Sequence, residues 1–440
     1  MKPRNLVIAA VLLAALSGVV WWAKKHPQPS ATGAAATTSP KLADIPDAQI
    51  QSIDLKKRDG AEVDLARQNG KWIITAPESY PADQDAASSL ASSLNPLTAD
   101  NVVEDQAHDL NKYGLKSPTL TVTVHEKNGK STQVHFGDDV PAGSLVYASI
   151  DSNPKVYAVS SSIKSSFDKS ANDLRDKRLL TFDSNKLTRA EIISGSSDIE
   201  FGKNNQGDWE ILKPKPYRAD SFQVEELIRK LSDAKMDLSN TAQKAPPAAA
   251  AFSSGRPVAT VKVTDATGTQ TLDVRKNKDD YYGKSSAVKG VYKLSSDLGT
   301  ELAKPLDDFR NKKIFDFGFS DPTKIDVQQG STSQVLTRSG TDWKRNSQTM
   351  DPGLVQAFID KLRDLSATKF VSSGFTTPEF TITVTSNDGK RVEKAEFAKV
   401  ADGYIARREN ESGLYQLDAK SVSDLLDASK AIKPAAAAKK

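Results

Sequence analysis

One block of sequence occurs three times in this chain, and it constrains the fold more than any other feature. Each copy runs from a glycine-containing turn to a tryptophan, then to an aspartate, and then into an apolar pattern with helical spacing. The tryptophans are Trp72, Trp209 and Trp343, which lie 137 and 134 residues apart. This period exceeds the roughly 20–50 residues of a solenoid repeat, so we expect each copy to have its own core.

Strict alternation of apolar and polar residues predicts paired strands within the copies. In copy one, Ile53 and Leu55 alternate with polar residues up to a turn signal at residues 58–60, and Val63 and Leu65 return from it. Period-two alternation on both sides of a glycine-containing turn is typical of a β-hairpin. The other copies repeat this order of strands, so a mainly antiparallel sheet is predicted for each.

An aspartate precedes the helical pattern of every copy. Asp83, Asp220 and Asp351 occupy this position, and the patterns that follow run to Leu97, Leu231 and Leu365. Aspartate is a preferred residue for accepting hydrogen bonds from the unpaired N–H groups at a helix start. Capping therefore accounts for these carboxylates without a catalytic role. Gln223 is placed to complete a capping box with Asp220.

These patterns predict an α+β chain of three tandem similar domains after an N-terminal transmembrane helix, each domain being a mainly antiparallel sheet with two helices. The predicted segments are a transmembrane anchor (1–26), a flexible linker (27–44), three repeat domains (45–183, 184–319 and 320–432) and a disordered alanine–lysine tail (433–440).

Residues 5–23 form an uncharged, mostly apolar run, with Lys2 and Arg4 before it. As a helix this run would span roughly 28 Å, close to the thickness of the hydrocarbon layer of a membrane. Trp21 and Trp22 near its end are typical of a membrane–water interface. The alternative is a secretory peptide cleaved later, near Ala34-Ala35-Ala36. We expect an uncleaved anchor and an exported body.

Charge and cysteine content exclude several classes of function. Sixty basic residues face 56 acidic ones, a net charge of +4, so no large basic field for nucleic acid is predicted. The sequence contains no cysteine, which excludes disulfides, thiolate zinc sites and iron–sulfur clusters.

Residues with catalytic or ligating chemistry do not form a recognisable site in the sequence. His125 and His135 fall on strands predicted to pair, but the turn at Asn128-Gly129 places His125 opposite Thr132. No third ligand accompanies them, and His108 is isolated, so no metal site is predicted. Phosphate-binding loops and nucleophile elbows are also missing from the sequence. We therefore expect no catalytic, cofactor-binding or metal-binding residue, and no enzymatic activity.

Two further features recur at fixed places in the copies. Asp173-Leu174-Arg175 and Asp308-Phe309-Arg310 close copies one and two, and a closing element of this type is missing from copy three. Arginine at such a joint is expected to hydrogen-bond carbonyl groups or the carboxylates of the next domain. The three tryptophans stand between apolar strand residues and are expected in the cores; stacking on sugars is the alternative.

Several of these motifs together resemble those of an uncharacterised bacterial family called domain of unknown function 4340. The resemblance rests on residues 69–72, 81–83, 113–115 and 173–177, and it extends over roughly residues 49 to 320. It implies a single-anchor protein of the bacterial inner membrane with its main body in the periplasm. Genes of such proteins often lie beside those of ABC-type export systems linked to gliding motility, which implies an accessory component of a transporter. The resemblance implies no catalytic residue or cofactor.

The expected function is accordingly that of a non-enzymatic membrane-anchored envelope protein whose three repeated domains bind protein partners. One alternative is a periplasmic module that binds glycan or peptide in a groove lined by exposed aromatic residues. A further alternative is an envelope hydrolase, which would need a deep pocket with two converging carboxylates in one copy.

Overall fold

The computed structural model describes residues 39–141, 143–238 and 246–436. The predicted anchor, residues 5–23, lies outside them. Among the residues that are described, no helix has the length and apolar character needed to cross a membrane.

The strands pair almost entirely into three large sheets, and the α-helices lie between or after these strands. The strands before residue 177 are β1 (Lys41–Ala43), β2 (Ile50–Lys57), β3 (Glu62–Gln68), β4 (Lys71–Ala76), β5 (Tyr80–Pro81), β6 (Leu97–Thr98), β7 (Asn101–Glu104), β8 (Leu120–Glu126), β9 (Ser131–Asp139), β10 (Leu145–Ile150) and β11 (Val156–Ser160). The next strands are β12 (Arg189–Ser194), β13 (Ser197–Lys203), β14 (Trp209–Lys213), β15 (Tyr217–Arg218), β16 (Arg256–Asp265), β17 (Gly268–Asn277), β18 (Asp280–Ser285) and β19 (Tyr292–Leu294). The last strands are β20 (Lys324–Gln329), β21 (Thr332–Ser339), β22 (Asp342–Arg345), β23 (Gln348–Thr349), β24 (Lys369–Val371), β25 (Phe380–Ser386), β26 (Arg391–Val400), β27 (Gly403–Arg408) and β28 (Leu414–Leu417). The α-helices are α1 (Gln84–Ser92), α2 (Ser161–Phe167), α3 (Ala171–Leu174), α4 (Ser221–Ser232), α5 (Pro246–Ser254), α6 (Ser296–Glu301), α7 (Leu306–Phe309), α8 (Pro352–Asp364) and α9 (Ala419–Ala431).

The three large sheets have the same strand order. The order is β5-β4-β3-β2-β8-β9-β10-β11-β7 in the first sheet, β15-β14-β13-β12-β16-β17-β18-β19 in the second and β23-β22-β21-β20-β25-β26-β27-β28-β24 in the third. Every strand pair is antiparallel, which confirms the predicted mainly antiparallel α+β fold. In the described residues, the second sheet has no counterpart of the outermost strands β7 and β24.

The predicted hairpins form because alternate residues face one common core. Ile53 pairs with Leu65 and Leu55 with Val63, and all four are buried. Gly60 adopts a φ of +89° in the connecting turn, a conformation that glycine reaches without steric cost. Polar residues between them point to the opposite face of the sheet, as a period of two requires.

The helix after the fourth strand of each sheet is capped as predicted. The Asp83 carboxylate accepts hydrogen bonds from the N–H groups of residues 85 and 86, and that of Asp220 from the N–H of Gln223. Asp351 accepts from residues 353 and 354. The second half of the predicted capping box does not form, because the Gln223 side-chain oxygen accepts from Lys304 instead.

The observed helices differ from the predicted ones at several places. Helix α1 ends at Ser92 rather than near Leu97, since Pro96 cannot continue a helix and disfavours helical geometry in the residue before it. The proline–alanine stretch after residue 245 forms helix α5, which was not predicted. Short helices α3 and α7, not predicted, precede the closing arginines, so two helices per copy is too low for the first two sheets.

The cores show where one sheet's residues end and the next begin. Each large sheet has its own cluster of buried residues. A compact unit ends at Asp176, before the predicted boundary at residue 183, and Leu179, Leu180 and Phe182 pack in the core of the second sheet. A second compact unit, from Lys177 onward, contains both the second and the third sheet.

Both predicted flexible ends include ordered residues. Strand β1, within the predicted linker 27–44, pairs with β6, and Leu42 and Ala43 are buried in the first core. At the other end, the Ala435 N–H donates to the Thr349 carbonyl over 3.0 Å, so the predicted tail 433–440 begins with residues that belong to the third sheet. Residues 437–440 lie outside the described part.

Replacing Asp351 by alanine tests the capping assignment. Asp351→Ala removes the acceptor for two N–H groups and is expected to lower the free energy of unfolding of the second unit by about 1 kcal/mol. Urea-induced unfolding measures this loss. Asp351→Asn keeps an acceptor oxygen and is the matched control, which should unfold close to the parent protein. An equal loss in both variants would contradict a capping role.

Candidate functional site

The three tryptophans lie in the cores, at corresponding places. Trp72, Trp209 and Trp343 are 2%, 6% and 7% exposed. Opposite each tryptophan on the neighbouring strand stands a basic residue, namely Arg67, Lys203 and Arg338. The Arg67 guanidinium lies 4.4 Å from the centre of the Trp72 ring and the Lys203 ammonium 5.0 Å from that of Trp209. The predicted core role is confirmed, and the rings are not exposed for stacking on sugars.

The closing segments of the repeats make the same backbone contacts in all three sheets. The N–H groups of Asp83, Asp220 and Asp351 donate to the carbonyls of Leu174, Phe309 and Lys433 over 2.8–2.9 Å. Antiparallel bridges follow, from Ala82 to Arg175, from Ala219 to Arg310 and from Met350 to Pro434. The third sheet therefore has a closing segment after all, with proline at the position of the arginine.

The closing arginines pack on aromatic rings. The Arg175 guanidinium lies 3.9 Å from the Tyr80 ring centre. Arg310, which is 8% exposed, lies between two rings, 4.1 Å from Tyr217 in the second sheet and 3.6 Å from Phe370 in the third. The prediction of a joint is confirmed for Arg310. Its guanidinium nevertheless contacts ring faces of both sheets, and its ion pair is with the nearby Asp307 rather than with a carboxylate of the next domain.

A second arginine, Arg218, strengthens the same joint. It extends from β15 to the third sheet, where it lies 2.9 Å from Glu411 and 3.4 Å from Asp316, and its guanidinium also donates to the Lys313 carbonyl. The Tyr415 hydroxyl donates to Glu411 over 2.6 Å. These contacts hold a cation of the second sheet among acceptors of the third.

Further charges of the third sheet complete this group, which we call the joint cluster (Arg218, Asp316, Arg391, Glu393, Arg408, Glu411 and Tyr415). Arg408 bridges Glu411 at 2.7 Å and Glu393 at 3.1 Å. Glu393 in turn accepts from the backbone N–H of Asp316. Each buried charge therefore has a partner of opposite sign, which is required of ionised groups removed from water.

Electrostatics favour the ionised form of Glu411. Burial alone would raise the pKa of this carboxyl group, but the nearby Arg218 and Arg408 outweigh burial and hold its pKa below the usual value. Burial raises the pKa of the Tyr415 hydroxyl, although Arg218 opposes this shift. These two shifts favour an ionised Glu411 carboxylate and a neutral Tyr415 hydroxyl, so the hydroxyl can donate to the carboxylate.

An acidic residue occupies one corresponding outward position in each sheet. Asp54, Glu191 and Asp326 each stand between two buried residues of the central strand, on the face away from the core. In the second sheet, Glu191 binds Lys213 and also Lys262 at 2.8 Å, and these contacts lower its pKa to about 2. Hydrogen bonds from both ammonium groups account for this shift.

The histidines do not form a metal site in the described residues. His125 pairs with Ser131, one residue from the predicted Thr132, and its Nε2 lies 3.0 Å from the Asp54 carboxylate. His135 lies opposite Thr121, and its pKa is lowered chiefly by burial. No group of three side chains suitable for a metal ion occurs in the part of the chain that the structure describes.

Two pockets on the described surface differ in the acidic residues that line them. A pocket of about 510 Å³ beside β3 has Glu62 as the single acidic residue among those that line it. Another, of about 450 Å³, is lined by Glu396, Glu409 and Glu411. Each of these three is ion-paired, with Arg407, Lys394 and Arg408 respectively. Ion pairs therefore engage all three carboxylates that line the second pocket.

The Tyr113-Gly114-Leu115 motif closes one end of the first sheet by close packing. Gly114 has a φ of +66°, and a Cβ atom there would collide with the Asp138 side chain. A Cβ on Gly137 would likewise collide with the Tyr113 carbonyl. Tyr113 and Leu115 pack with Val156 in a small separate core. The motif therefore needs glycine for steric reasons.

The joint cluster was not identified from the sequence, because its members lie up to 197 residues apart along the chain. One signal was present. Arg218 stands where the first copy has Pro81, directly before the alanine and aspartate of the repeated segment. A charged residue in place of proline at a repeated position marks a change of role.

Comparison with known protein families gives a match that covers most of the described chain. A family model described as "Domain of unknown function (DUF4340)" matches residues 72–215 and 209–379, so that each matched segment begins at a buried tryptophan. The match accounts for two repeats, whereas the sequence predicted three. No curated protein matches the chain.

Replacing Arg310 tests whether this residue couples the second and third sheets. Arg310→Ala removes a guanidinium stacked on two rings and is expected to destabilise the second unit by about 2 kcal/mol. Calorimetry should show the single transition of that unit broaden or split, with faster proteolysis within residues 312–323. The control is Arg175→Ala, because Arg175 stacks on Tyr80 within the first unit. A second-unit transition unchanged by Arg310→Ala would contradict the coupling role.

The ion pairs of Glu191 with Lys213 and Lys262 predict that the stability of the second sheet depends on pH. Because the pKa of Glu191 is lowered from 4.5 to about 2, its ionised form stabilises the folded protein above pH 4.5. This contribution is lost as the pH falls from 4.5 towards 2. Glu191→Gln should therefore be less stable than the parent at pH 7, and the difference should shrink at pH 3.

Urea unfolding at pH 7, 4.5 and 3 measures this dependence. Glu210→Gln, an exposed position on β14 of the same sheet, is the matched control and should leave the pH profile unchanged. If the stability of Glu191→Gln differed from the parent by the same amount at all three pH values, the ion pairs would not carry the effect.

Proposed function

Since the chain belongs to the DUF4340 family, we propose that it is a non-enzymatic, single-pass envelope protein that binds other proteins. Residues 5–23 anchor it in the bacterial inner membrane, and its main body lies in the periplasm. Three similar domains, each built on one of the large sheets, supply the binding surfaces. Its place is that of an accessory component of an ABC-type transport system.

One observation supports this proposal above the others: the recurrent residues are used in building the scaffold. The tryptophans are core residues, the aspartates cap helices, and the closing arginine of the second sheet joins it to the third. In an enzyme family, by contrast, the recurrent polar residues are expected to converge on one site. A scaffold of repeated units multiplies contact surface, which suits assembly of proteins.

The joint between the second and third sheets adds to this argument. Arg310 and Arg218 cross from one sheet to residues of the other, and both are largely buried. A joint made of paired buried charges tolerates little change in geometry, because each lost partner leaves an unpaired charge. The two sheets can therefore present a fixed composite surface to a partner.

The alternatives receive less support from the structure. A module that binds glycan or peptide was motivated by the tryptophans, and these are buried. A hydrolase requires two converging carboxylates, whereas the acidic residues of the described pocket next to the joint cluster are ion-paired.

Mild crosslinking in native membranes tests the proposal. We expect the tagged full-length chain to co-purify with membrane neighbours, including subunits of an ABC-type transporter. The same purification from cells that carry the untagged chain is the control. Recovery of the tagged chain as a monomer without partners, after crosslinking that captures a known membrane complex in the same cells, would contradict the proposal.

A further inference from the structure

The outermost strand of the first sheet has one open side in the described structure. Strand β7, Asn101–Glu104, pairs with β11 and is the last strand in the order of that sheet. Val102 and Val103 on it are 37% and 41% exposed, although both are large apolar residues. An exposed edge with free backbone groups and β-branched side chains is a template for pairing with another chain.

The third sheet shows what this position is used for elsewhere in the chain. There, Phe370 on β24 pairs with Tyr415, and the Phe370 ring is covered by the Arg310 guanidinium of the preceding segment. In the first sheet, Val102 pairs with Tyr157 at the corresponding place. The same edge position is thus a contact surface in the third sheet, whereas in the first sheet none of the described residues pairs with its outer side.

The local geometry of β7 leaves Val103 available. Glu104 pairs with Val156 and Val102 with Tyr157, so the register shifts between them and Val103 has no partner on β11. An extra residue of this kind is a β-bulge. Since Val103 takes no part in the register, its side chain can change without breaking the pairs beside it.

The charges at the ends of β7 favour a basic segment of another protein over a second copy of this chain as the binding partner. Three acidic residues flank the two valines, namely Asp100, Glu104 and Asp105. The Tyr113 hydroxyl donates to Glu104, and the Lys155 ammonium lies 2.8 Å from the Asp105 carboxylate. The Asp105 side chain nevertheless stays largely exposed. Two copies paired antiparallel through β7 would bring carboxylates of one copy opposite those of the other, and such like-charge pairs are destabilising. A segment with basic ends has complementary charge.

We propose that β7 accepts an extended, β-branched segment of a partner protein with lysine or arginine at its ends. The segment adds an antiparallel strand to the first sheet and covers Val102 and Val103. Backbone hydrogen bonds provide the affinity, and the carboxylates at both ends of β7 select basic flanks. This inference rests on the proposed function, because it names the surface and the chemistry by which the protein binds a partner.

A labelled peptide of alternating valine and threonine with one lysine at each end serves as the probe. Fluorescence anisotropy measures its binding to the full-length chain in lipid nanodiscs. We expect Val103→Lys to weaken binding about tenfold or more, because a lysine on the edge repels the basic flanks and blocks pairing. A peptide with glutamate at both ends should bind about tenfold more weakly than the lysine peptide.

Val392→Lys is the matched control variant. Val392 is an exposed valine on β26, which has a neighbouring strand on each side, so it offers no free edge. This variant should bind the lysine peptide within about twofold of the parent, a difference well below 1.4 kcal/mol. Hydrogen exchange should show new protection of amides 101–104 in the peptide complex.

Three results would overturn the inference. Equal binding by the parent and Val103→Lys would place the peptide elsewhere, and a lack of protection at residues 101–104 would do the same. Sedimentation that shows a dimer of the parent, abolished by Val103→Lys, would identify a second copy as the occupant. The melting temperatures of both variants must match that of the parent for these comparisons to hold.

The membrane crosslinking experiment separates failure of this inference from failure of the proposed function. If the parent chain captures transporter subunits and Val103→Lys captures them equally well, the proposed function stands and the role of β7 is wrong. If the parent chain captures no neighbour, the proposed function is wrong, whatever the peptide result.

Discussion

Each sheet depends on one short extended segment that ends in an aspartate. The side chain of this aspartate caps the helix that covers the core, while its backbone N–H donates to the closing segment of the same repeat. One residue thus fixes both the helix and the end of the repeat. The second contact uses only backbone groups, so it places no demand on the side chain of the closing segment. This explains how Arg175, Arg310 and Pro434 occupy corresponding places.

Within the second unit, side-chain contacts rather than backbone hydrogen bonds join the second sheet to the third. Removing an arginine from water costs several kcal/mol, and only close partners of opposite charge offset this cost. Arg218 and Arg310 have such partners or ring faces, and most of those come from the third sheet. Without the third sheet, both cations would lose much of their surroundings. The joint is therefore specific for these two sheets, whereas the backbone contacts of the repeat are general.

Patterns within a few residues of the sequence predicted the hairpins and helices of the repeats. Contacts between residues far apart along the chain could not be predicted in this way. Alternation identified the hairpin from Ile53 to Leu65, and helical spacing identified the buried face of α4, because both signals lie within a few residues. The arginine joint was predicted from its recurrence, but its ring partner Phe370 was not, since it lies 60 residues further along the chain. Leu179 and Phe182 are apolar in the sequence, but the sequence does not show that they enter the second core.

The outward faces differ even where the sheets correspond. Asp54 lies beside His125, Glu191 beside two lysines and Asp326 beside Ser333, although all three carboxylates occupy the same position of the central strand. The core side of that strand is apolar in every sheet, since the packing requires it. Folding therefore constrains one face of this strand, whereas the other face differs among the three sheets. A scaffold of this kind can present chemically different surfaces on one architecture. Under the proposed function, partner binding is therefore expected at outward faces and edges rather than among the recurrent residues.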